Sequence, residues 1–159
     1  LQSEAIRLVA EKYSWYNNFF YLGRAHELPI AMAGSLKLKE LTYLHSEAYS
    51  SGELKHGSIA LIDAEFPSIM VNGGGPLIAK NNSSVEEIKA RGWKVLGIIA
   101  RGDNHISLYD DSITFEPLVE ELNPFLEVMI LQLFSYHVAN KLGRDVDKPR
   151  NLAKSVTVE

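Results

Sequence analysis

The chain has 159 residues, 46% of them apolar and 23% charged, the balance of one globular domain and not of a disordered chain or a coiled coil. Sixteen Lys and Arg against 20 Asp and Glu leave a formal charge of −4 with no basic run, so nucleic acid and anionic membrane surfaces are poor partners. There is no cysteine, which excludes disulfides, Cys-type zinc sites and a Cys nucleophile within these residues and fits a reducing compartment such as the cytoplasm. No apolar run approaches the ~18 residues of a membrane span, and no signal-peptide pattern is visible.

Leu1 to Tyr13 reads as an amphipathic helix, with Ser3 as a cap and Ala5, Ile6, Leu8 and Val9 as its apolar positions. A chain that opens at Leu1 in helical pattern looks like a piece of a longer protein. Asn18 to Gly23 (NFFYLG) reads as a buried strand ending in glycine. Pro29 opens a helix to about Leu44, with Ile30, Gly34, Leu38 and Leu41 toward the core. Ser46 to Gly57 is polar and reads as a loop with one helical turn, followed by a brief apolar piece at Ile59 to Ile62.

Ser68 to Val71 is a second strand, stopped by Asn72-Gly73-Gly74-Gly75-Pro76. A helix is expected from about Ser84 to Arg91, with Gly92 at its end. Trp93 to Ala100 is a third strand, apolar enough to be covered on both faces, and Ser112 to Phe115 a fourth. Pro124 starts a long helix to about Leu142 that uses Val128, Leu131, Phe134 or Ser135, Val138 and Leu142, with Gly143 as its stop. Residues 1–143 then form one domain and residues 144–159 a polar tail. Strands alternating with helices predict an α/β three-layer sandwich, a mainly parallel sheet between helices, whose ligands bind at the carboxyl ends of the strands.

Several residues could carry chemistry. Lys37 and Glu40 are three apart on the second helix and share a face off the core stripe. The pair fits a general base steadied by a cation, and it equally fits a surface salt bridge. His56, in Gly52-Glu-Leu-Lys-His-Gly57, sits on a loop where an imidazole could titrate near neutrality or simply be solvated. Lys154, in Asn151-Leu-Ala-Lys-Ser155, has the local pattern of a solvated tail lysine.

Gly73-Gly74-Gly75 follows a strand but lacks both the Walker lysine and the dinucleotide spacing, so it reads as a turn. The five histidines have no metal-ligand spacing, so no metal is expected. His137 reads as a satisfied core or boundary residue. Ser35 and Ser58 lack a nucleophile-elbow context.

Two segments narrow these alternatives. The first runs from Gly34-Ser-Leu-Lys-Leu-Lys-Glu40 through Tyr43-Leu-His-Ser-Glu-Ala-Tyr49 and Gly52-Glu-Leu-Lys-His-Gly57 to Ala60-Leu-Ile-Asp63. The second is the ending, Asp147-Lys-Pro-Arg-Asn-Leu-Ala-Lys-Ser-Val-Thr-Val-Glu159. Together they closely resemble the C-terminal part of the glutamine–fructose-6-phosphate aminotransferase (isomerizing) family, the glucosamine-6-phosphate synthases. The resemblance covers nearly the whole chain and is loose from Gly73 to Glu116.

It implies a flavodoxin-like sugar isomerase (SIS) subdomain, the second of two, that follows an N-terminal glutaminase domain and works in a homodimer. It also implies residue roles. Glu40 matches the base that moves a proton between C1 and C2, and Lys37 the lysine that assists at the sugar oxygens. His56 matches the ring-opening histidine that reaches the neighbouring subunit. Lys154 matches the tail lysine that forms an imine with open-chain fructose 6-phosphate. The product would be glucosamine 6-phosphate, with no cofactor. Ser58 stands where the family usually has Pro, which bears on the aim of His56. No Ser/Thr-rich phosphate loop is present, so the phosphate would be held by the first SIS subdomain and the fragment alone would turn over poorly. Two other readings are a non-catalytic phosphosugar-binding SIS module and an amino-sugar-phosphate deaminase or deglycase. The sensor would need a phosphate loop but neither Glu40 nor Lys154, and the deaminase or deglycase does not account for the full ending.

Overall fold

The computed structural model describes residues 3–152. In chain order the main elements are α1 (Ser3–Tyr13), β1 (Asn18–Gly23), α2 (Glu27–Thr42), β2 (His45–Ser50) and β3 (Ser68–Asn72), then α3 (Ile78–Lys89), β4 (Val95–Ala100), β5 (Asp111–Phe115) and α4 (Asn123–Lys141). The strands form one all-parallel sheet in the order β2-β1-β3-β4-β5. The order reverses between β1 and β3, the topological switch point of a doubly wound sheet.

Alternation along the strands builds two cores. Phe19 and Tyr21, Ile69 and Val71, Leu96 and Ile98, and Ile113 and Phe115 face α1, α2 and α4. Phe20 and Leu22, Met70, and Val95 and Ile99 face α3 and the segments around Leu54, Ile62, Phe66 and Tyr109. A period of two that is apolar on both faces is the signature of a covered parallel strand. Gly34 lets α2 press against both sheet and α4: a Cβ there would come within 2.6 Å of Leu131 Cδ1 and 2.9 Å of Tyr21 Cε1.

Three expectations need correction. Ser46 to Ser50 is not loop but most of the edge strand β2, in register with β1 from Asn18↔His45 to Gly23↔Ser50. Its sequence, HSEAYS, carries no apolar run because an edge strand is covered on one side only. Ser46 is buried instead by hydrogen bonds, its hydroxyl donating to the Ser35 carbonyl at 2.8 Å and lying 3.0 Å from Ser35 Oγ. Second, α3 begins at Ile78, six residues before Ser84. Asn81, Asn82 and Ser84 are weak helix formers, but tertiary hydrogen bonds hold all three buried. Third, Leu8 is exposed, and the buried stripe of α1 is Ile6, Ala10 and Tyr13. The remaining differences are shifts of one or two residues at element ends, as at Trp93.

Candidate active site

α2 leaves the carboxyl end of β1 and returns to the amino end of β2, so its last turn lies at the amino edge of the sheet. There Lys37 Nζ donates to Glu40 Oε2 at 2.5 Å, with the two side chains 38% and 27% exposed. The salt-bridge reading and the base reading therefore describe one geometry: a half-buried carboxylate beside an ammonium. Glu40 also lines an open groove of about 480 Å³ with Leu36, Tyr43, His45 and residues Arg150 to Leu152. Glu40 stands at the amino edge of the sheet, opposite the carboxyl ends where ligands are expected.

The segment after α4 closes one side of that groove. Gly143, in the left-handed region at φ +67, turns the chain out of the helix. The Arg150 backbone N–H then donates to Tyr43 Oη at 2.8 Å. The Arg150 and Arg144 guanidinium groups lie 4.1 and 5.1 Å from the centroid of the Tyr43 ring. Lys154 lies outside the described residues.

His56 ends a short 3₁₀ turn, Leu54–His56, beyond the carboxyl end of β2, and is exposed. Glu40 lines its groove beside His45, at the amino end of the same strand. The six-residue strand between them spans roughly 17 Å at ~3.3 Å per step. Within one chain, then, Lys37 and Glu40 come together and His56 does not join them.

A second polar region, missed by sequence reasoning, lies at the carboxyl edge around the switch point. Asn81 Nδ2 donates to Glu27 Oε2 at 2.6 Å and to Asn72 Oδ1 at 3.0 Å, and Asn72 Nδ2 donates to Asn82 Oδ1 at 2.9 Å and Tyr109 Oη at 3.0 Å. Ser51 Oγ donates to Asn81 Oδ1 at 2.9 Å. Glu27 is 8% and Glu127 2% exposed. Burial pushes Glu27 up to about 8, opposed by the Asn81 bond and reinforced by the nearby Glu127, and burial alone pushes Glu127 up to about 7.

Gly73, the first residue of the triglycine turn, packs under Glu127, whose Oε1 would lie 1.5 Å from an added Cβ. The turn carries no phosphate-loop geometry. Its carbonyl at Gly73 accepts from Asn123 Nδ2 at 3.1 Å, and α3 starts only at Ile78. His137 is a boundary residue as expected but not a satisfied one: its Nε2 has no hydrogen-bond partner among the described residues, and desolvation lowers its pKa. Asn81, Asn82 and Ser84 gave no signal for this network in the sequence, since polar residues in a helix read as a solvated face.

A parallel 2-1-3-4-5 sheet covered by helices on both faces defines the doubly wound, flavodoxin-like class of α/β domain. Residues 13–141 match the SIS domain family, and the chain belongs to it. Glutamine–fructose-6-phosphate aminotransferase [isomerizing] of Thermus thermophilus is 49% identical over 152 residues, 95% of this chain and 25% of that protein. The protein of the same name from Salmonella typhi is 46% identical over 99% of this chain and 26% of its own length. The chain thus spans about a quarter of the length of the curated relatives it matches.

Among solved structures, the C-terminal domain of glucosamine-fructose-6-phosphate aminotransferase from Francisella tularensis superposes with a TM-score of 0.86 at 36% identity, covering 92% of this chain and 42% of that one. A glucosamine-6-phosphate deaminase from Thermotoga maritima superposes at 0.75 with 25% identity, covering 97% and 45%.

Among the described residues no helix is long and apolar enough to cross a membrane, and no three His, Asp or Glu side chains are grouped to hold a metal ion.

Proposed function

We propose that this chain is the second isomerase subdomain, residues 1–143, and the C-terminal tail, residues 144–159, of a glutamine–fructose-6-phosphate aminotransferase. A glutaminase domain and a first SIS subdomain of the same chain would supply ammonia and hold the sugar phosphate. The whole protein would turn fructose 6-phosphate and ammonia into glucosamine 6-phosphate and water. The observation that carries the reading is the Glu40 carboxylate, paired with Lys37 and lining a groove that Arg150, Asn151 and Leu152 also line.

The chemistry follows from the side chains. His56 exchanges the proton needed to open the ring. A neutral Lys154 amine adds to the C2 carbonyl of the open ketose and water leaves, giving an imine. A free lysine is mostly protonated at neutral pH, and a cationic neighbour such as Lys37 favours the neutral amine. Ammonia adds to the C2 imine and the Lys154 amine leaves, which frees the lysine and gives an imine of ammonia at C2. Glu40 then takes a proton from C1 and returns it at C2, so that C2 carries the amine and C1 becomes the aldehyde. The tail brings the amine to the sugar and sheds water from it.

The separation of Glu40 and His56 along β2 argues for an obligate shared site, with His56 of one copy serving Glu40 of another. An apolar groove of about 350 Å³ between Ile30 of α2 and Phe125, Val128 and Met129 of α4 suits packing against the rest of the longer chain.

Incubation of the full-length protein with fructose 6-phosphate, borohydride reduction and peptide mass spectrometry test the reading. An adduct on Lys154 is expected. Tight sugar-phosphate binding with no adduct would replace the enzyme by a sugar-phosphate-binding module.

A further inference from the structure

Tyr43 is the C-cap of α2 and has φ +67, ψ +13, the left-handed conformation. Glycine or asparagine normally takes that place, because a Cβ is strained there, and a bulky aromatic is an outlier. Strain of this kind persists where surrounding contacts over-determine it. The contacts of the Tyr43 ring and hydroxyl converge on one segment, the start of the tail. Two guanidinium groups stack on the ring at 4.1 and 5.1 Å, and the hydroxyl accepts the Arg150 backbone N–H at 2.8 Å. Arg144 and Arg150 have no carboxylate partner among the described residues, so the ring is the group that holds them.

We propose that Tyr43 is a positioning residue: it clamps the segment from Arg144 to Arg150 against the last turn of α2, holding Asn151 and Leu152 at the Glu40 groove and shortening the tether to Lys154. The inference rests on the reading that Lys154 serves the sugar bound there. Tyr43 follows Glu40 by three residues, a rise of about 5 Å along the helix. With Arg150 clamped, Lys154 is four residues from a fixed point and its Cα cannot stray more than about 14 Å from it. Without the clamp the nearest fixed point is Leu142 at the end of α4, twelve residues away, a reach of about 40 Å. Effective concentration falls as roughly the −3/2 power of tether length, so tripling the tether dilutes the amine at the groove about fivefold.

The test measures the rate of borohydride-trapped adduct on Lys154 in the full-length protein, together with fructose 6-phosphate affinity and melting temperature. Tyr43→Gly suits the left-handed cap and removes the ring. It should trap about fivefold more slowly at saturating fructose 6-phosphate, with the fold retained. Tyr43→Phe keeps both stacks and should stay within about twofold of the parent. Arg150→Gln, outside the helices and strands, should slow trapping in the same direction and covers the case in which Tyr43→Gly does not fold. Trapping at the parental rate in both Tyr43→Gly and Arg150→Gln overturns the clamp and leaves the lysine reading standing. A parent protein that gives no Lys154 adduct removes the lysine reading, and the clamp's purpose with it.

Discussion

Helix α2 carries a glutamate at each end, and the two have opposite surroundings. Glu27, in the first turn, is 8% exposed, faces the amides of Asn81 and its neighbours, and is pushed up to about 8 by burial. Glu40, in the last turn, has a 27% exposed side chain, lines a groove and pairs with the ammonium of Lys37. A raised pKa by itself would nominate Glu27 as the functional carboxyl. Access favours Glu40. A group sealed under the switch point, held by neutral amides, stabilises one packing arrangement of α3 against the sheet. A group with an open side and a cation next to it can exchange a proton with a ligand. Glu27 lies at the carboxyl edge, where parallel sheets usually place their ligands, and Glu40 at the amino edge.

The comparison can be broken at Glu40 first. Glu40→Gln in the full-length protein should slow exchange of the sugar C1 proton with solvent by about 10²- to 10⁴-fold, read by deuterium incorporation. Unchanged exchange would clear Glu40 of the base role. Next comes the distance along β2. Glu40→Gln and His56→Ala are each expected to be nearly inactive alone. Unfolded and refolded together in equal amounts, half of the dimers should be mixed, and each mixed dimer has one site with both residues intact. About a quarter of parental activity should return. No recovery would mean that His56 works within its own chain.

Glu27 sharpens the other side. Below its ordinary value of about 4.5 the carboxyl is protonated in the folded and the unfolded chain alike. As the pH rises toward 8 the unfolded chain ionises while the buried group resists, so stability is lost across that window. Glu27→Gln keeps an acceptor for Asn81 and removes the titration. Its advantage over the parent should be small at pH 5 and grow to on the order of a few kcal/mol above pH 8, measured by urea unfolding at both. A constant difference across that range would show that Glu27 is not the titrating group. The smallest effect is expected at Ser46→Ala, which cuts the tie from β2 to α2 at Ser35 and should cost about 1 kcal/mol without changing proton exchange.

Legibility in the sequence followed periodicity. The central strands β1, β3 and β4 could be read because burial on both faces demands unbroken apolar runs. Edge strand β2 could not: its Ser46 is buried by hydrogen bonds to Ser35, and its other side chains are only partly covered. The first turn of α3 was hidden for a similar reason, since Asn81 and Asn82 are poor helix formers whose partners lie on β3, α2 and the segment before β5. The Lys37–Glu40 pair was legible because helical spacing puts residues three apart side by side. Tyr43 was not, because its meaning comes from Arg144 and Arg150, some hundred residues along the chain.

The sequence by itself determined the α/β class, the apolar central strands and the pairing of Lys37 with Glu40, all consequences of local spacing and of which residues must leave water. Only the tertiary structure decided which of two glutamates on one helix is sealed and which is open. It also set His56 and Glu40 at opposite ends of a strand and brought the tail's arginines onto Tyr43. Those facts depend on the crossover α2 makes from the carboxyl end of β1 to the amino end of β2, and a long-range return of the chain leaves no period in the sequence to read.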